Sequence, residues 1–315
     1  MAEIGALQFG IRDTALYNHL HASGLPSQCN ARKVFPFLMS NPSPYPTIAV
    51  ASTFSPRFVQ VLSEAKRIRD RFSSDLRLIY VGERNEETAG KFRDVLKQLS
   101  LPQESTIYYE QGDPAGSILR ALANNKIDMI VAGALEKEVA LHQFLGNVAR
   151  RLVREATCSV MLFTKPETEP KQLCRIVFVA DESHSDHARG ALQKTLQLAS
   201  AESCERLYVI RIFTAFDEAR ASLHAERNDR EKVKNQDHEE EALEKFILSL
   251  GATEVPIEAR YIRGSTGFAV ADFVQSVEAN LLVVPVRPDA DGGETLPSNI
   301  AWITDVIPCN LWVIR

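Results

Sequence analysis

Residues 112–133 read GDPAGSILRALANNKIDMIVAG, and the same pattern of turn and apolar positions returns 152 residues later in the chain. Gly112 corresponds to Gly264, and Asp128 corresponds to Asn280. We interpret Asp128 and Asn280, which each precede an apolar run, as turn residues. The repeat indicates a tandem duplication of one domain, and a length of 315 residues is enough for two domains with separate cores.

Outward from this stretch, short apolar runs alternate with segments whose apolar residues recur every three or four positions. The runs predict buried strands, and the periodic segments predict helices that lie on a sheet. The predicted strands are 47–52, 76–81, 105–110, 127–132, 159–163, 175–180, 206–212, 257–262, 280–286 and 311–314. The predicted helices are 58–72, 86–99, 115–125, 146–156, 187–200, 238–250, 267–278 and 299–306. This alternation predicts an α/β fold in which helices cover both faces of a mostly parallel, doubly wound sheet.

The chain divides into an N-terminal arm (1–46), copy one (47–165) and copy two (174–315). The arm ends in NPSPYP, whose alternating prolines stiffen the chain into an extended linker. Copy two carries an insertion at about 216–241 that has too few apolar residues to form a core. We interpret this insertion as a solvated helix extension or mobile loop; the alternative is an element that binds a partner or covers a site.

Charge and composition exclude several classes of protein. A net charge of -5 and a pI near 5.9 argue against binding to nucleic acid or to an anionic membrane, which requires clustered Lys and Arg. Arg67, Arg69 and Arg71 stand at alternate positions and are predicted to lie on one solvated helix. No window approaches the roughly 20 apolar residues of a membrane span.

Cysteine and histidine spacing suggests neither a disulfide framework nor a metal site. The five cysteines are widely spaced and include no C-x-x-C pair, which favours a reducing, cytoplasmic location. His184 and His187 could lie one turn apart on a helix, but no third ligand accompanies them. We therefore predict no metal.

The residues at the strand ends resemble the universal stress protein family. That family has Asp-x-Ser after the first strand and, after the fourth, Gly, two residues, Gly, nine residues and then Gly-Ser or Gly-Thr. Gly112-Asp113-Pro114 before a helix also resembles the family. The resemblance covers nearly all of 47–315 and implies two tandem five-stranded domains of the adenine-nucleotide α-hydrolase-like fold. It also implies that strands 159–163 and 311–314 pair within the chain, making a pseudo-dimer with Phe163 and Trp312 at the junction.

The family's ligand positions are only partly matched in copy one. Gly133 and Gly146 have the family's spacing, but Glu136 stands at the middle glycine, Asn147 at the hydroxyl position and Thr53 at the aspartate. Asn147 is expected to cap the helix or to donate to a ligand oxygen. A carboxylate repels a triphosphate by about 1 kcal/mol at 4 Å even in water.

Copy two departs from the family in the opposite way. It keeps Asp181-Glu182-Ser183 on the nucleoside side, but Pro285, Pro288 and Ser298 stand at the glycine positions, and proline offers no N–H to a phosphate. The resemblance assigns these ligand-binding residues: Thr53, Ser55, Val81, Gly133, Gly146, Asn147, Asp181, Ser183, Ser298 and Asn299. Neither copy holds a complete ATP site.

We expect a non-enzymatic stress-response or regulatory protein that binds ATP, another adenine nucleotide or a related small ligand weakly or in one domain only. The alternative is an interaction or scaffold module that acts through the arm, the insertion or the pseudo-dimer surface, with a protein partner. An ATP-hydrolysing enzyme ranks third, because no water-activating group or magnesium ligand set can be identified and no catalytic residue is predicted. The sequence also has no Walker loop, G-x-S-x-G elbow or Cys-His pair. Association of whole chains into a higher homo-oligomer stays open.

Overall fold

The computed structural model of this protein describes residues 43–139, 142–180, 186–213, 240–263, 267–288, 294–295 and 307–315. Residues 43–315 form one compact unit. The arm up to residue 42, most of the predicted insertion and the predicted helix 299–306 lie outside the described residues.

Copy one alternates strands and helices as predicted, with one addition. Its elements are β1 (Thr47–Ser52), α1 (Phe58–Phe72), β2 (Asp75–Val81), α2 (Glu86–Gln98), β3 (Ile107–Glu110), α3 (Pro114–Asn124), β4 (Met129–Gly133), β5 (Leu135–Val139), β6 (His142–Leu145), α4 (Asn147–Glu155) and β7 (Ser159–Phe163). The addition is the pair β5 and β6, which the sequence did not predict.

Copy two follows the same order. Its elements are β8 (Arg175–Val179), α5 (Asp186–Ala201), β9 (Arg206–Phe213), α6 (240–248), β10 (Ile257–Arg263), α7 (Gly267–Ser276), β11 (Leu281–Pro285), β12 (Arg287–Pro288), β13 (Glu294–Thr295) and β14 (Asn310–Ile314). All ten predicted strands are present across the two copies, with ends that differ from the prediction by up to two residues.

Both copies share one ten-stranded sheet in the order β10-β9-β8-β11-β14-β7-β4-β1-β2-β3. Neighbouring strands within each copy are parallel. β14 and β7 pair antiparallel at the centre of the sheet, with Trp312 opposite Met161. The predicted α/β fold and the predicted pairing of the two last strands are confirmed.

Helices pack on both faces of the sheet. On one face, α1, α2, α5 and α6 contribute Leu62, Phe92, Leu192 and Leu243 to a single apolar core. On the other face, α3, α4 and α7 contribute to a second core, in which Leu122 and its repeat counterpart Val274 are both buried. The apolar stripes read from the sequence therefore mark the buried side of each helix.

The acidic or amide residue before the fourth strand of each copy anchors the first strand. Asp128 Oδ2 accepts the Thr47 N–H at 2.7 Å, and Asn280 Oδ1 accepts the Arg175 N–H at 2.9 Å. The backbone N–H of Asp128 in turn donates to the Thr47 carbonyl at 2.9 Å. Asp128 and Asn280 thus fix where the first strand of each copy begins. They lie at the edge of the sheet opposite to the edge where ligands bind in such sheets.

The junction between β7 and β14 is closed at both ends by equivalent hydrogen bonds. Ser159 Oγ, at the start of β7, accepts the Arg315 N–H at 3.0 Å. Asn310 Oδ1, at the start of β14, accepts the Thr164 N–H at 3.0 Å. The two ends of the antiparallel β7–β14 pair are therefore closed in a nearly two-fold symmetric way.

A buried ion cluster joins α1 of copy one to the end of α5 in copy two. The fully buried Glu202 carboxylate accepts from Arg67 Nη1 at 2.8 Å, from Arg71 Nε at 2.8 Å and from the Leu173 N–H at 3.0 Å. Arg67 also pairs with Glu64 at 2.7 Å, and burial raises the pKa of Glu64 above its ordinary value. We call these four charged residues the ionic corner.

The ionic corner corrects the sequence interpretation of α1. Arg67 and Arg71 were predicted to be solvated, but the Arg67 side chain is only 11% exposed because Glu202 lies against it. The partner stands more than 130 positions along the chain, so the local alternation of charged and apolar residues could not reveal it. Arg71, which bonds the same carboxylate, is 35% exposed, and Arg69 pairs locally, with the neighbouring Asp70.

No helix in the described part of the chain is long and apolar enough to cross a membrane. Among the same residues, no group of three or more His, Cys, Asp or Glu is arranged to hold a metal ion.

Candidate functional site

The strand order of copy one reverses at β1. The chain passes from β1 to β2 and β3 on one side and then crosses to β4 on the other. In a doubly wound parallel sheet, such a reversal opens a crevice at the carboxyl ends of the strands, and ligands bind there. The candidate site is therefore the edge where β1, β2 and β4 end.

The structure brings the predicted copy-one residues to this edge. Ser52 is paired with Tyr80, and Val50 with Val131, so the ends of β1, β2 and β4 lie side by side. The predicted ligand-binding residues at these ends are Thr53, Val81 and Gly133, of which Thr53 and Gly133 are exposed. The Gly146 N–H donates to the Ala134 carbonyl at 3.0 Å, which brings the start of α4 to the same place.

Ser55 has a structural contact within this group. Its carbonyl accepts the Phe58 N–H at 3.0 Å in the turn that leads into α1. Ser55 itself is exposed to solvent. Ser55 therefore helps to shape the loop after β1.

An aromatic cluster that sequence reasoning missed forms the α1 and α2 side of the crevice. Phe54 packs against Phe92, Tyr80 and Phe58, with ring centroids 4.9, 5.1 and 5.7 Å apart. A Cβ on Gly82 would come within 2.6 Å of the Tyr80 ring, so only glycine fits there without moving that ring. The rings of the cluster come from separate elements, so no single stretch of sequence indicates it.

The segment between β4 and α4 folds into a hairpin, where the resemblance implies a loop that wraps phosphate. β5 and β6 pair antiparallel, with Leu135 opposite Leu145 and an irregularity between Leu135 and Glu138. The Ala134 N–H donates to the Phe163 carbonyl at 2.9 Å. Hairpin pairing and strand pairing thus occupy backbone donors that an open glycine loop could turn toward a phosphate.

Glu136 lies within β5, in the irregular part of the hairpin. Its side chain is outside the described residues, so its predicted repulsion of a triphosphate stays a prediction.

The start of α4 differs from the sequence prediction. The N-cap is Gly146, with φ −63° and ψ 156°, and Asn147 is the first helical residue, so Asn147 does not cap the helix. A cap requires the extended backbone that Gly146 adopts, and glycine has no side chain to bond the first-turn amides. No acidic residue lies in the first turn, so the positive end of the helix dipole is not neutralised locally.

The Gly112-Asp113-Pro114 motif is structural. Gly112 has a positive φ of 113°, which glycine adopts without strain, and Asp113 caps α3 by accepting the Gly116 N–H at 2.8 Å. That N–H and then Arg151 hold the pKa of the Asp113 carboxyl below its ordinary value. Arg151 of α4 donates to Asp113 at 2.8 Å, so the motif ties α3 to α4 beside the crevice.

In copy two, the predicted ligand residues Asp181, Ser183, Ser298 and Asn299 lie outside the described residues. The described part shows that Pro285 ends β11 in a buried position. β12 and β13 then pair antiparallel, with Arg287 opposite Thr295. Both copies therefore place an antiparallel pair where the family pattern has its phosphate loop.

A tandem α/β protein with crevices at the strand ends is the class that this fold defines, and solved structures share it. A functionally unknown protein from Pseudomonas aeruginosa PAO1 aligns with a TM-score of 0.64 at 16% identity, over 86% of this chain and 92% of its own. A putative universal stress protein from Pseudomonas aeruginosa UCBPP-PA14 aligns with a TM-score of 0.63 at 15% identity, over 86% and 93%. A universal stress protein from Archaeoglobus fulgidus aligns with a TM-score of 0.59 at 13% identity, over 87% and 98%.

Residues 44–164 match the model of the universal stress protein family. Copy one is therefore a domain of the universal stress protein family, and the resemblance read from its motifs is confirmed. A search of the curated proteins finds no match to the chain.

Proposed function

We propose that this protein is a non-enzymatic stress-response or regulatory protein that binds an adenine nucleotide or a related small ligand weakly in the crevice of copy one. The observation that carries this proposal is the meeting of Thr53, Val81 and Gly133 with the start of α4 at the reversal of strand order. The family identity of residues 44–164 supports it.

The ligand's anionic group is expected at the start of α4. Helix amides and the uncompensated dipole attract a negative charge there, and exposed Gly133 adds no side chain that would keep the ligand away. The hairpin offers few further backbone donors, so we expect weak binding and little gain from a second or third phosphate.

Calorimetry with AMP, ADP and ATP tests the proposal. We expect dissociation constants in the micromolar range, about −8 kcal/mol or weaker, with similar values for the three nucleotides. Heat at the dilution baseline for all three would refute nucleotide binding.

Asn147→Asp gives a sharper test of the ligand's position. A carboxylate in the first turn of α4 favours the helix but repels an anionic ligand, by about 1 kcal/mol at 4 Å, or roughly fivefold in affinity. Gln98→Glu is the matched control, because it makes the same charge change at the exposed end of α2, at the opposite edge of the sheet. Equal affinities in the two variants would show that the ligand's charge does not lie at α4.

A second candidate function is a scaffold without a nucleotide. The specific observation in its favour is that both copies carry an antiparallel pair in place of an open phosphate loop. It predicts that deleting residues 1–42 or 217–239 abolishes capture of a protein partner while the fold persists. The first deletion must stop before Ser43, because Tyr45 is buried in the core. Retention of the partner by both deletions would count against this function.

A further inference from the structure

The helices on the two sides of the junction, α1 and α5, correspond residue by residue, because their C-terminal ends have the same backbone geometry. α1 and α5 are each followed by a serine in the left-handed region, Ser73 with φ 54° and Ser203 with φ 52°. The next N–H in each copy donates five residues back, from Ser74 to Arg69 and from Cys204 to Ala199. By this correspondence, each residue of α1 matches the α5 residue 130 positions later.

Several equivalent positions in α1 and α5 carry side chains of different charge or polarity. Phe72 of copy one matches Glu202 of copy two, and Glu64 matches Lys194. Arg67 and Arg71 match Gln197 and Ala201. The junction therefore has two corners of different kinds.

One is the ionic corner, where Arg67 and Arg71 of copy one bind Glu202 of copy two. The guanidinium carbon of Arg67 also lies 5.8 Å from the Phe163 ring centroid at the end of β7. Copy one thus contributes two cations to this corner, and copy two contributes a fully buried carboxylate.

The other corner is aromatic. The ring centroids of Tyr45 and Phe72 are 5.2 Å apart, and each lies 5.9 Å from that of Trp312 in β14. Lys194 Nζ lies 5.0 Å from the Tyr45 ring centroid and donates to the Arg315 carbonyl at 3.2 Å. We call these residues the aromatic corner; here copy two supplies the cation, and Tyr45, two residues before β1 of copy one, supplies the ring.

Pairing of copy one with another copy one would remove both complementary contacts. Arg67 and Arg71 would face Phe72 in place of Glu202, which leaves guanidinium groups without their buried acceptor. Glu64 would stand where Lys194 stands, which sets a carboxylate against the negative face of the Tyr45 ring. The strand pairing of β7 with β14 and the two hydrogen bonds that close its ends are nearly symmetric and would not oppose such pairing, so the discrimination lies in the charged and aromatic side chains of the two corners.

We propose that the junction face of copy one, formed by β7 and α1, is an interaction surface selective for the unlike half, with Glu202 and Lys194 of copy two as the residues it recognises. This face accepts a copy two and rejects a second copy one. The selectivity goes beyond the proposed ligand binding and does not depend on it.

The test cuts the covalent connection between copy one and copy two after the full chain has folded. A protease site inserted between Thr168 and Glu169, which are both exposed, lets the folded full chain be cut. Two cut samples, one isotopically labelled, are mixed, and native mass spectrometry then counts unlike and like pairs, which differ in mass. The wild-type protein is expected to give unlike pairs.

The variant R67Q/R71A/E202F gives the ionic corner the residues that the aromatic corner carries at the equivalent positions. We expect it to form about tenfold more like pairs than the wild type, as a loss of selectivity near 1.4 kcal/mol would produce. Glu278→Gln is the control, since it breaks an exposed ion pair with Arg175 inside copy two, and it should leave the pairs unlike.

Like pairs in statistical proportion in the wild type would overturn the proposal, and so would a triple variant that still forms only unlike pairs. Dissociation of the cut wild type into single halves would overturn it too, because a selective surface must hold its partner without the tether. If circular dichroism shows that the triple variant does not fold, Lys194→Glu tests the aromatic corner alone. It should also raise the share of like pairs, and an unchanged share would refute selectivity at that corner.

Discussion

Glu202→Gln removes the charge at the centre of the ionic corner and keeps the size of the side chain. In the wild type, this carboxylate accepts hydrogen bonds from Arg67, Arg71 and the Leu173 N–H. Glutamine offers one oxygen, and its amide group would face donors. Two cations then lose a buried acceptor, and the contact between the copies weakens.

The expected loss follows from the exposure of each partner. Removing one member of a buried ion pair costs about 3–5 kcal/mol. Arg71 is 35% exposed, so water replaces part of its lost interaction, and Arg67 keeps its contact with Glu64 at 2.7 Å. We therefore expect the free energy of unfolding to fall by about 2–3 kcal/mol.

Urea unfolding followed by circular dichroism and by tryptophan fluorescence measures this loss, since Trp312 is buried at the junction. The matched control is Glu278→Gln, whose partner contact with Arg175 is exposed to solvent and should contribute nothing measurable. If Glu202→Gln and Glu278→Gln unfold at the same urea concentration, the ionic corner does not stabilise the junction, and the reasoning fails.

Two further predictions concern backbone space and pH. Gly82→Ala places a methyl group 2.6 Å from the neighbouring tyrosine ring and should lower the free energy of unfolding by about 1–3 kcal/mol. Gly190→Ala, in α5 with open space around its Cβ, should raise it by about 0.5–1 kcal/mol; thermal unfolding that moves both variants in the same direction would contradict this. Because burial raises the pKa of Glu64, the folded protein holds the Glu64 proton more tightly than the unfolded chain does. The stability that this proton gives is complete below the unfolded pKa and is lost as pH rises through the higher folded pKa, so the wild type should lose stability relative to Glu64→Gln as pH rises from the ordinary glutamate pKa of about 4.3 toward neutral pH. Urea midpoints that differ by a constant amount across this range would argue against it.

The strands and helices were predictable because each is encoded locally. A run such as Met129–Gly133 is apolar and bounded by turn residues, and stripes such as that of α1 recur at helical spacing. The pairing of β7 with β14 followed from the resemblance and is confirmed. The β5–β6 hairpin was not predictable, because residues 135–145 read LEKEVALHQFL and contain no glycine, proline or asparagine to mark a turn.

The candidate site was predictable in position but not in detail. Parallel strands end at one edge, so Thr53, Val81 and Gly133 had to meet once the strand order was known. Asn147 was expected to cap α4 or to donate to a ligand oxygen, and the first alternative is wrong, because the cap is Gly146 and is set by backbone angles that composition does not fix. The aromatic cluster around Phe54 was not predicted from the sequence, because the rings that pack on Phe54 come from three separate elements, α1, α2 and β2.

The sequence by itself determined that the protein is duplicated, which segments are strands or helices, and where a crevice opens, because apolar periodicity and strand order are local or repeated signals. Only the tertiary structure decided which charges are buried and which backbone donors are already bonded. Arg67 and Glu202 are 135 residues apart in the sequence. The Ala134 N–H reaches the Phe163 carbonyl only because β4 pairs with β7. Contacts of this range depend on how strands and copies pack together, and the contacts between the copies make the two copies of the repeat unlike.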